Sequence, residues 1–157
     1  MESKATTDTH GPVLELEHFL PYRLSVLSNR ISQTIADLYA ERFGIGVTEW
    51  RVIAVLGRFP GLSAGTVAER TAMDKVAVSR ALARLAERGL VERETHDDDR
   101  RRSVLRLSAS GRRVHAEIAP IALEIERKLL AGFDESERAR LAALMDKLAA
   151  ALPGLAP

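Results

Sequence analysis

The chain contains no cysteine. A disulfide framework, a thiol redox switch and a zinc site with thiolate ligands are therefore excluded. Long apolar runs are absent as well, because residues 1–20 mix charged groups with Leu and Pro, and no later stretch approaches the roughly 18 uninterrupted apolar residues of a membrane span. We therefore expect a protein that stays in the cytoplasm and makes no use of a membrane.

Catalytic motifs are also lacking. The sequence contains no Gly-rich phosphate loop, no H-E-x-x-H pair and no nucleophile elbow. It clusters no acid and base at the end of a predicted strand. We expect neither an enzyme nor a cofactor.

Charge is unevenly distributed along the chain. The formal net charge is only +1, but residues 60–113 contain 12 Lys and Arg against 8 Asp and Glu, whereas the remainder contains 11 against 14. A basic middle between mildly acidic ends is typical of a protein whose middle alone meets a polyanion.

Apolar periodicity predicts two helices before the basic region. Residues 1–13 are polar and without period, which indicates a disordered tail. Residues 19–43 carry one helical apolar stripe. Thr48 is placed to cap a second, buried helix that ends near Arg58.

The basic region itself has the pattern of a winged helix-turn-helix. Ser63 begins a short helix, and after a tight turn Asp74 caps a second one that Gly89 ends. Residues 91–95 and 103–107 are extended segments around the charged run HDDDRRR, which predicts a β-hairpin with an exposed tip.

Apolar stripes recur in the helices that follow Ser108 and the Asp134/Glu137 capping box. Together with the first helix they carry more apolar surface than a small winged domain covers, which indicates a homodimer. We therefore expect a mainly α-helical fold with a small β-hairpin wing. Its parts are a tail (1–13), an N-terminal dimerisation helix (14–45), a winged helix-turn-helix DNA-binding region (46–107) and C-terminal dimerisation helices (108–157).

The fourth predicted helix has the composition of a recognition helix. Its apolar stripe leaves a small, polar and basic face outward, which suits close approach to base edges and phosphates. A merely solvated helical face is an equally good interpretation of this helix alone. The candidate DNA-binding residues of the two short helices are Ser63, Thr66, Lys75, Val76, Ala77, Ser79, Arg80 and Arg84.

The hairpin tip adds Asp99, Arg100, Arg101 and Arg102 to the candidate DNA-binding residues. An arginine there can enter the narrow, electronegative minor groove, and an adjacent carboxylate can hold its guanidinium. His96 and the neighbouring aspartates also admit a metal site, although a solvated tip is the favoured interpretation and no metal is predicted.

The segment TAMDKVAVSRALARLAERGLVERETHDDDRRRSVLRLSASG resembles the MarR (multiple antibiotic resistance regulator) family. The resemblance rests on V-S-R-x-x-x-R-L, G-L-V-x-R, D-R-R and S-x-x-G at the family's spacing. It implies that Asp99 and Arg101 form the wing pair and that the helix with Ser79 and Arg80 reads DNA. Many relatives have a polar pair where this chain has Val76 and Ala77.

The resemblance also implies a small, often aromatic or anionic effector that binds between the dimer helices and the winged domain. The candidate effector-binding residues are His18, Tyr22, Arg23, Asn29 and Trp50. Trp50 as a core residue and Arg23 as an interface ion pair are the alternatives. We expect a repressor that its effector releases from a palindromic double-stranded operator, the alternative being a DNA-binding protein without a ligand.

Overall fold

The computed structural model describes residues 12–95 and 103–155. Over these residues the chain is mainly α-helical with one antiparallel hairpin, as the sequence predicts. The elements are α1 (Leu20–Phe43), α2 (Val47–Arg58), α3 (Ala64–Thr71), α4 (Lys75–Glu87), β1 (Val91–Thr95), β2 (Ser103–Leu107), α5 (Ala109–Leu129), α6 (Glu135–Ala151) and a final 3-10 turn (Leu152–Leu155).

Side-chain caps define the starts of α3 and α4. Ser63 Oγ accepts the N–H of Thr66 at 3.1 Å. Asp74 Oδ1 accepts the N–H groups of Val76 and Ala77 at 2.9 and 3.0 Å. Each cap satisfies backbone donors that have no partner inside the first turn of a helix. The predicted starts of both helices are confirmed.

The start of α2 differs from the prediction. Gly46, not Thr48, occupies the N-cap position, and Thr48 is the second residue of the helix. The carboxylate of Glu49 reaches back and accepts the Gly46 N–H at 2.5 Å. A glutamate at the third helical position can therefore cap this helix without a side chain on the residue that precedes it.

The core surrounds α2, which packs against α3, α4, α5 and β2. Burial of α2 in the middle of the fold agrees with its apolar sequence. The core extends from α2 into the hairpin and into the first half of α5. The fully buried large side chains are Tyr39, Val52, Ile53, Leu56, Val67, Val78, Leu85 and Ile118.

The terminal helices leave an apolar surface without a partner in the single chain. No residue of α6 is buried. Its four large apolar side chains, Leu141, Leu144, Met145 and Leu148, are between 41% and 52% exposed. Leu24, Leu27 and Leu38 of α1 are exposed as well. Large apolar side chains exposed along two helices are unusual for a protein that acts as a single chain.

The turn between α3 and α4 contains a strained residue. Ala72 has φ +51° and ψ +35°, a left-handed conformation that disfavours any residue with a Cβ. Ala72→Gly should therefore raise the free energy of unfolding by about 1 kcal/mol and the Tm by roughly 2–4 °C. Calorimetry measures both. Ala83→Gly, inside α4, is the matched control and should lower stability by about 1 kcal/mol; destabilisation by both changes would contradict the strain at Ala72.

Candidate DNA-binding surface

The two faces of α4 differ sharply in chemistry. Val78, Ala81, Leu82 and Leu85 are buried against the core. They recur at the three- and four-residue spacing that gives a helix one apolar face. The apolar stripe that the sequence predicts for this helix is confirmed at Val78, Leu82 and Leu85, and the rest of the helix faces outward.

The outward face of α4 combines short side chains with two cations. Lys75, Ser79 and Arg80 are exposed, Val76 is 56% exposed, and Ala77 is half-buried. Within the described residues, neither Lys75 nor Arg80 forms an ion pair. The N-terminal half of α4 therefore combines positive charge with short side chains that let the helix backbone approach DNA closely. A helix needs both properties to enter a major groove.

Arg84, which the sequence also assigns to this face, has a different environment. Its Nε donates to Glu49 Oε1 of α2 at 2.5 Å. Arg84 lies nine residues after Lys75, which is about 13 Å further along the helix. The structure thus places Arg84 beside α2, one helical turn after Arg80, and its contact with DNA stays a prediction.

The remaining two candidates lie at the start of α3. Ser63 Oγ caps the helix and lies 2.9 Å from Thr66 Oγ1. Ser63 is exposed and Thr66 is half-buried. Both hydroxyls are therefore already used in the cap of α3, and their contact with DNA stays a prediction.

The hairpin is anchored to the helix-turn-helix by backbone hydrogen bonds. The register pairs Val91 with Leu107 and Thr95 with Ser103. Leu105 donates to the carbonyl of Leu62 at 2.8 Å and accepts the Gly61 N–H at 2.9 Å. The loop before α3 thus adds a third, one-residue strand to the hairpin. The tip, with the predicted residues Asp99, Arg100, Arg101 and Arg102, lies outside the described residues.

Two of the five predicted effector residues meet in one place. Tyr22 and Arg23 line an open groove of about 420 Å³ along α1, together with Leu20, Leu24, Val26, Leu27 and Arg30. His18 lies near the start of the same helix and pairs with Glu15 at 3.2 Å. Asn29 is exposed. The groove belongs to the apolar surface of α1 described above.

Trp50 is placed elsewhere, in an aromatic cluster between α1, α2 and α5. Its ring centroid lies 5.9 Å from those of Tyr39 and His115. The Tyr39 hydroxyl is buried without a hydrogen-bond partner in the described part of the chain. Burial, with a smaller contribution from the charge of Glu49, raises the pKa of Tyr39 to about 12. The interpretation of Trp50 as a packing residue fits this environment, and contact of the half-buried indole with a ligand stays a prediction.

A second cavity, which the sequence does not suggest, lies where the wing meets α2 and α5. Its volume is about 440 Å³, within the range of small-molecule sites. Leu56 and Leu107 form an apolar floor, and Arg106 and Arg112 supply cations. Arg106 pairs with Glu94 across the hairpin, and Arg112 donates to the Leu107 carbonyl at 3.0 Å. These residues come from two distant parts of the chain, so no local sequence motif predicts the cavity.

The described residues offer neither a metal site nor a membrane-spanning helix. Residues 12–95 and 103–155 contain no group of three His, Asp or Glu side chains arranged to hold a metal ion. The run that begins at His96, which admitted a metal site, lies outside them. No helix among the described residues has the length and apolar character needed to cross a membrane.

The chain is similar in sequence and in structure to known transcriptional regulators. A family model described as MarR family matches residues 43–102. A MarR/EmrR family transcriptional regulator from Acinetobacter sp. ADP1 has a structure with a TM-score of 0.83 at 29% identity, over 90% of this chain and 100% of the other. A probable transcriptional regulator from Pseudomonas aeruginosa is 30% identical, with a TM-score of 0.63 over 83% of this chain and 99% of the other. The PcaV transcriptional regulator from Streptomyces coelicolor, solved in complex with its natural ligand, is 26% identical, with a TM-score of 0.69 over 90% and 99%.

Proposed function

We propose that this chain, which belongs to the MarR family of transcriptional regulators, is a homodimeric repressor that binds a palindromic operator and is released by a small effector. Members of this family are regulators and not enzymes. The observation that carries the proposal is the N-terminal half of α4, where Lys75, Ser79 and Arg80 are exposed on a rigid, capped helix.

The form of the operator follows from symmetry. Two copies related by a twofold axis present two α4 helices, which enter successive major grooves on one face of the duplex when the half-sites are about 34 Å apart. The exposed apolar side chains of α1 and α6 supply the surface on which the two copies meet. A charged wing tip, with Arg101 in the minor groove, adds contacts outside each half-site.

Arg80 provides the direct test of DNA recognition. Arg80→Ala should lower affinity for the selected operator by roughly tenfold to a hundredfold, because each half-site loses a donor to base edges or phosphate. Fluorescence anisotropy at a fixed salt concentration measures this change. The operator is first obtained by selection from random duplexes with the wild-type protein.

Arg58→Ala is the matched control, because Arg58 is an exposed arginine at the end of α2, outside α4 and outside the helices of the proposed contact between the two copies. It removes the same charge and should leave operator affinity within about twofold. Equal affinity of the wild-type protein for the selected operator and for scrambled DNA at physiological salt would overturn the proposed function. Full operator affinity in a folded Arg80→Ala dimer would remove α4 from the interface.

Support for an effector comes from two cavities with cationic residues. Arg23 lines the α1 groove, and Arg112 lines the cavity at the base of the wing. Either guanidinium suits a small anionic ligand, and PcaV, which is similar to this chain, was solved with its natural ligand. A thermal-shift screen of aromatic acids and their thioesters, followed by operator release, tests the effector. Failure of every thermal-shift hit to release the operator would favour the ligand-independent alternative.

A further inference from the structure

We propose that Glu49 of α2, Arg84 of α4 and Arg88, the C-cap residue that follows α4, form a latch that positions the recognition helix α4 and thereby sets the spacing of half-sites that the dimer accepts. This inference rests on the proposed function. It assigns Arg84 a positioning role instead of the DNA contact that its exposure suggests. The latch consists of side-chain hydrogen bonds from the last turns of α4 to the corner at which α1 ends and α2 begins.

Arg88 connects α4 to the end of α1. Its Nη2 and Nη1 donate to the carbonyl oxygens of Phe43 and Gly44 at 2.5 and 2.8 Å. Carbonyls at a helix C-terminus lack partners within the helix, and the helix dipole favours a cation there. Gly44 has φ +62° at this corner, and a Cβ on it would lie 3.7 Å from Arg88 Nη2. The guanidinium therefore lies directly on the corner and holds two of its carbonyls at once.

Glu49 connects α4 to the start of α2. Its side chain is only 12% exposed, and each carboxylate oxygen has its own donor. Oε2 accepts the Gly46 N–H and Oε1 accepts Arg84 Nε, both at 2.5 Å. Burial alone would raise the pKa of Glu49, but the hydrogen bonds from Gly46 and Arg84 and the nearby charge of Arg88 outweigh it, and the pKa is lowered. The carboxylate is therefore charged at neutral pH and available to Arg84.

The position of the latch explains why it bears on spacing. The apolar core fixes one face of α4, and Arg88, at the C-terminal end of that helix, adds hydrogen bonds to the C-terminal end of α1. In the proposed dimer, α1 belongs to the surface between the two copies, so the distance between the two α4 helices depends on how each is held against its own α1. Bidentate guanidinium contacts are directional and suit such a role.

The test uses Glu49→Gln, which keeps the shape of the side chain but removes its charge. We expect a folded dimer whose affinity for the selected operator falls about tenfold, while its affinity for scrambled DNA changes less than twofold. Its preference for the selected spacing over operators lengthened or shortened by one base pair should shrink by a similar factor. Arg88→Lys should behave in the same way, because one ammonium cannot reproduce the fork of the guanidinium.

Glu41→Gln is the matched control, since it removes an equal charge from the exposed surface of α1 near the same corner. It should leave operator affinity and spacing preference unchanged. Arg84→Lys in the wild-type background should retain more of the spacing preference than Arg84→Gln, because it keeps a cation beside Glu49. A spacing preference retained by Arg84→Lys but lost in Arg84→Gln distinguishes a role in positioning α4 from a simple loss of stability. Melting temperatures measure the stability of each variant independently.

If Arg84 instead contacts DNA directly, the change in DNA affinity caused by Glu49→Gln should have the opposite sign. If Arg84 bound phosphate, Glu49→Gln would free it and raise affinity for operator and scrambled DNA alike, and Arg84→Gln would flatten the salt dependence by about one unit per half-site. Either result, or an unchanged spacing preference in Glu49→Gln, would overturn the latch. Sequence-specific binding by the wild-type protein is measured first, so failure of the proposed function is distinguished from failure of the latch.

Discussion

Gly111→Ala is expected to destabilise the protein severely, by about 3 kcal/mol or more. A Cβ at this position would lie 2.0 Å from the carbonyl oxygen of Leu90 and 3.3 Å from the Cβ of Leu107. The obstacle is backbone, which cannot move aside as a flexible side chain can. α5 would have to shift away from the start of the hairpin, and forced shifts in a packed core cost this much.

The local hydrogen bonds explain why α5 approaches so closely. Ser108 Oγ accepts the Gly111 N–H at 3.0 Å and donates to the carbonyl of Gly89 at 2.5 Å. The Ser108 N–H donates to the carbonyl of Leu90 at 3.0 Å. One serine thus caps α5 and ties it to the residues that precede β1. The S-x-x-G motif that the sequence shares with its family has a steric cause here.

Chemical denaturation with Gly132→Ala as control measures the effect at Gly111. A Cβ at Gly132 would meet no atom within 4 Å, so this change should alter the free energy of unfolding by less than about 0.5 kcal/mol. At Gly111 the Tm should fall by about 6–12 °C for a chain of this size. Equal stability of the two variants would show that α5 is not held against Leu90 as the structure places it.

The amino-acid sequence predicts the features of this fold whose cause is local. The caps at Ser63 and Asp74 satisfy donors two or three residues away, and the buried stripe of α4 follows from helical periodicity. Both signals lie within one turn or one helix, so they are visible in a short window. The orientation of the basic face of α4 follows directly from them.

The sequence does not predict contacts between residues that lie far apart along the chain. The partner of Arg84 is 35 residues away and that of Arg88 is 44 residues away, so neither has a periodic signature. The chemistry of Trp50 suggests a common site with residues of α1, but its ring lies between Tyr39 and His115, which the packing of three helices brings together. Sequence gives the type of these side chains, whereas the tertiary contacts decide what each of them does.

Leu144→Asp and Leu148→Asp are each expected to convert the proposed dimer to monomer and to abolish binding to the proposed operator. Both leucines are exposed in the single chain, at 51% and 41%, on an α6 with no buried residue. A carboxylate on an apolar contact surface loses hydration without gaining a partner. A monomer presents one α4, so operator affinity should fall by about a hundredfold or more as the effective concentration of the second site is lost.

Sedimentation velocity and operator titration measure the two consequences together, with Ala143→Asp as the control. At about 100° per residue, Ala143 lies about 100° from Leu144 and about 140° from Leu148 around α6, and the same charge there should leave the dimer intact. Lysine at Leu144 or Leu148 should act as aspartate does, because burial of an unpaired charge, and not its sign, is the cause. Intact dimers for both leucine variants would place the contact between the two copies on another surface. Loss of operator binding by a variant that stays dimeric would contradict the link between dimerisation and operator binding, because an intact dimer still presents two α4 helices.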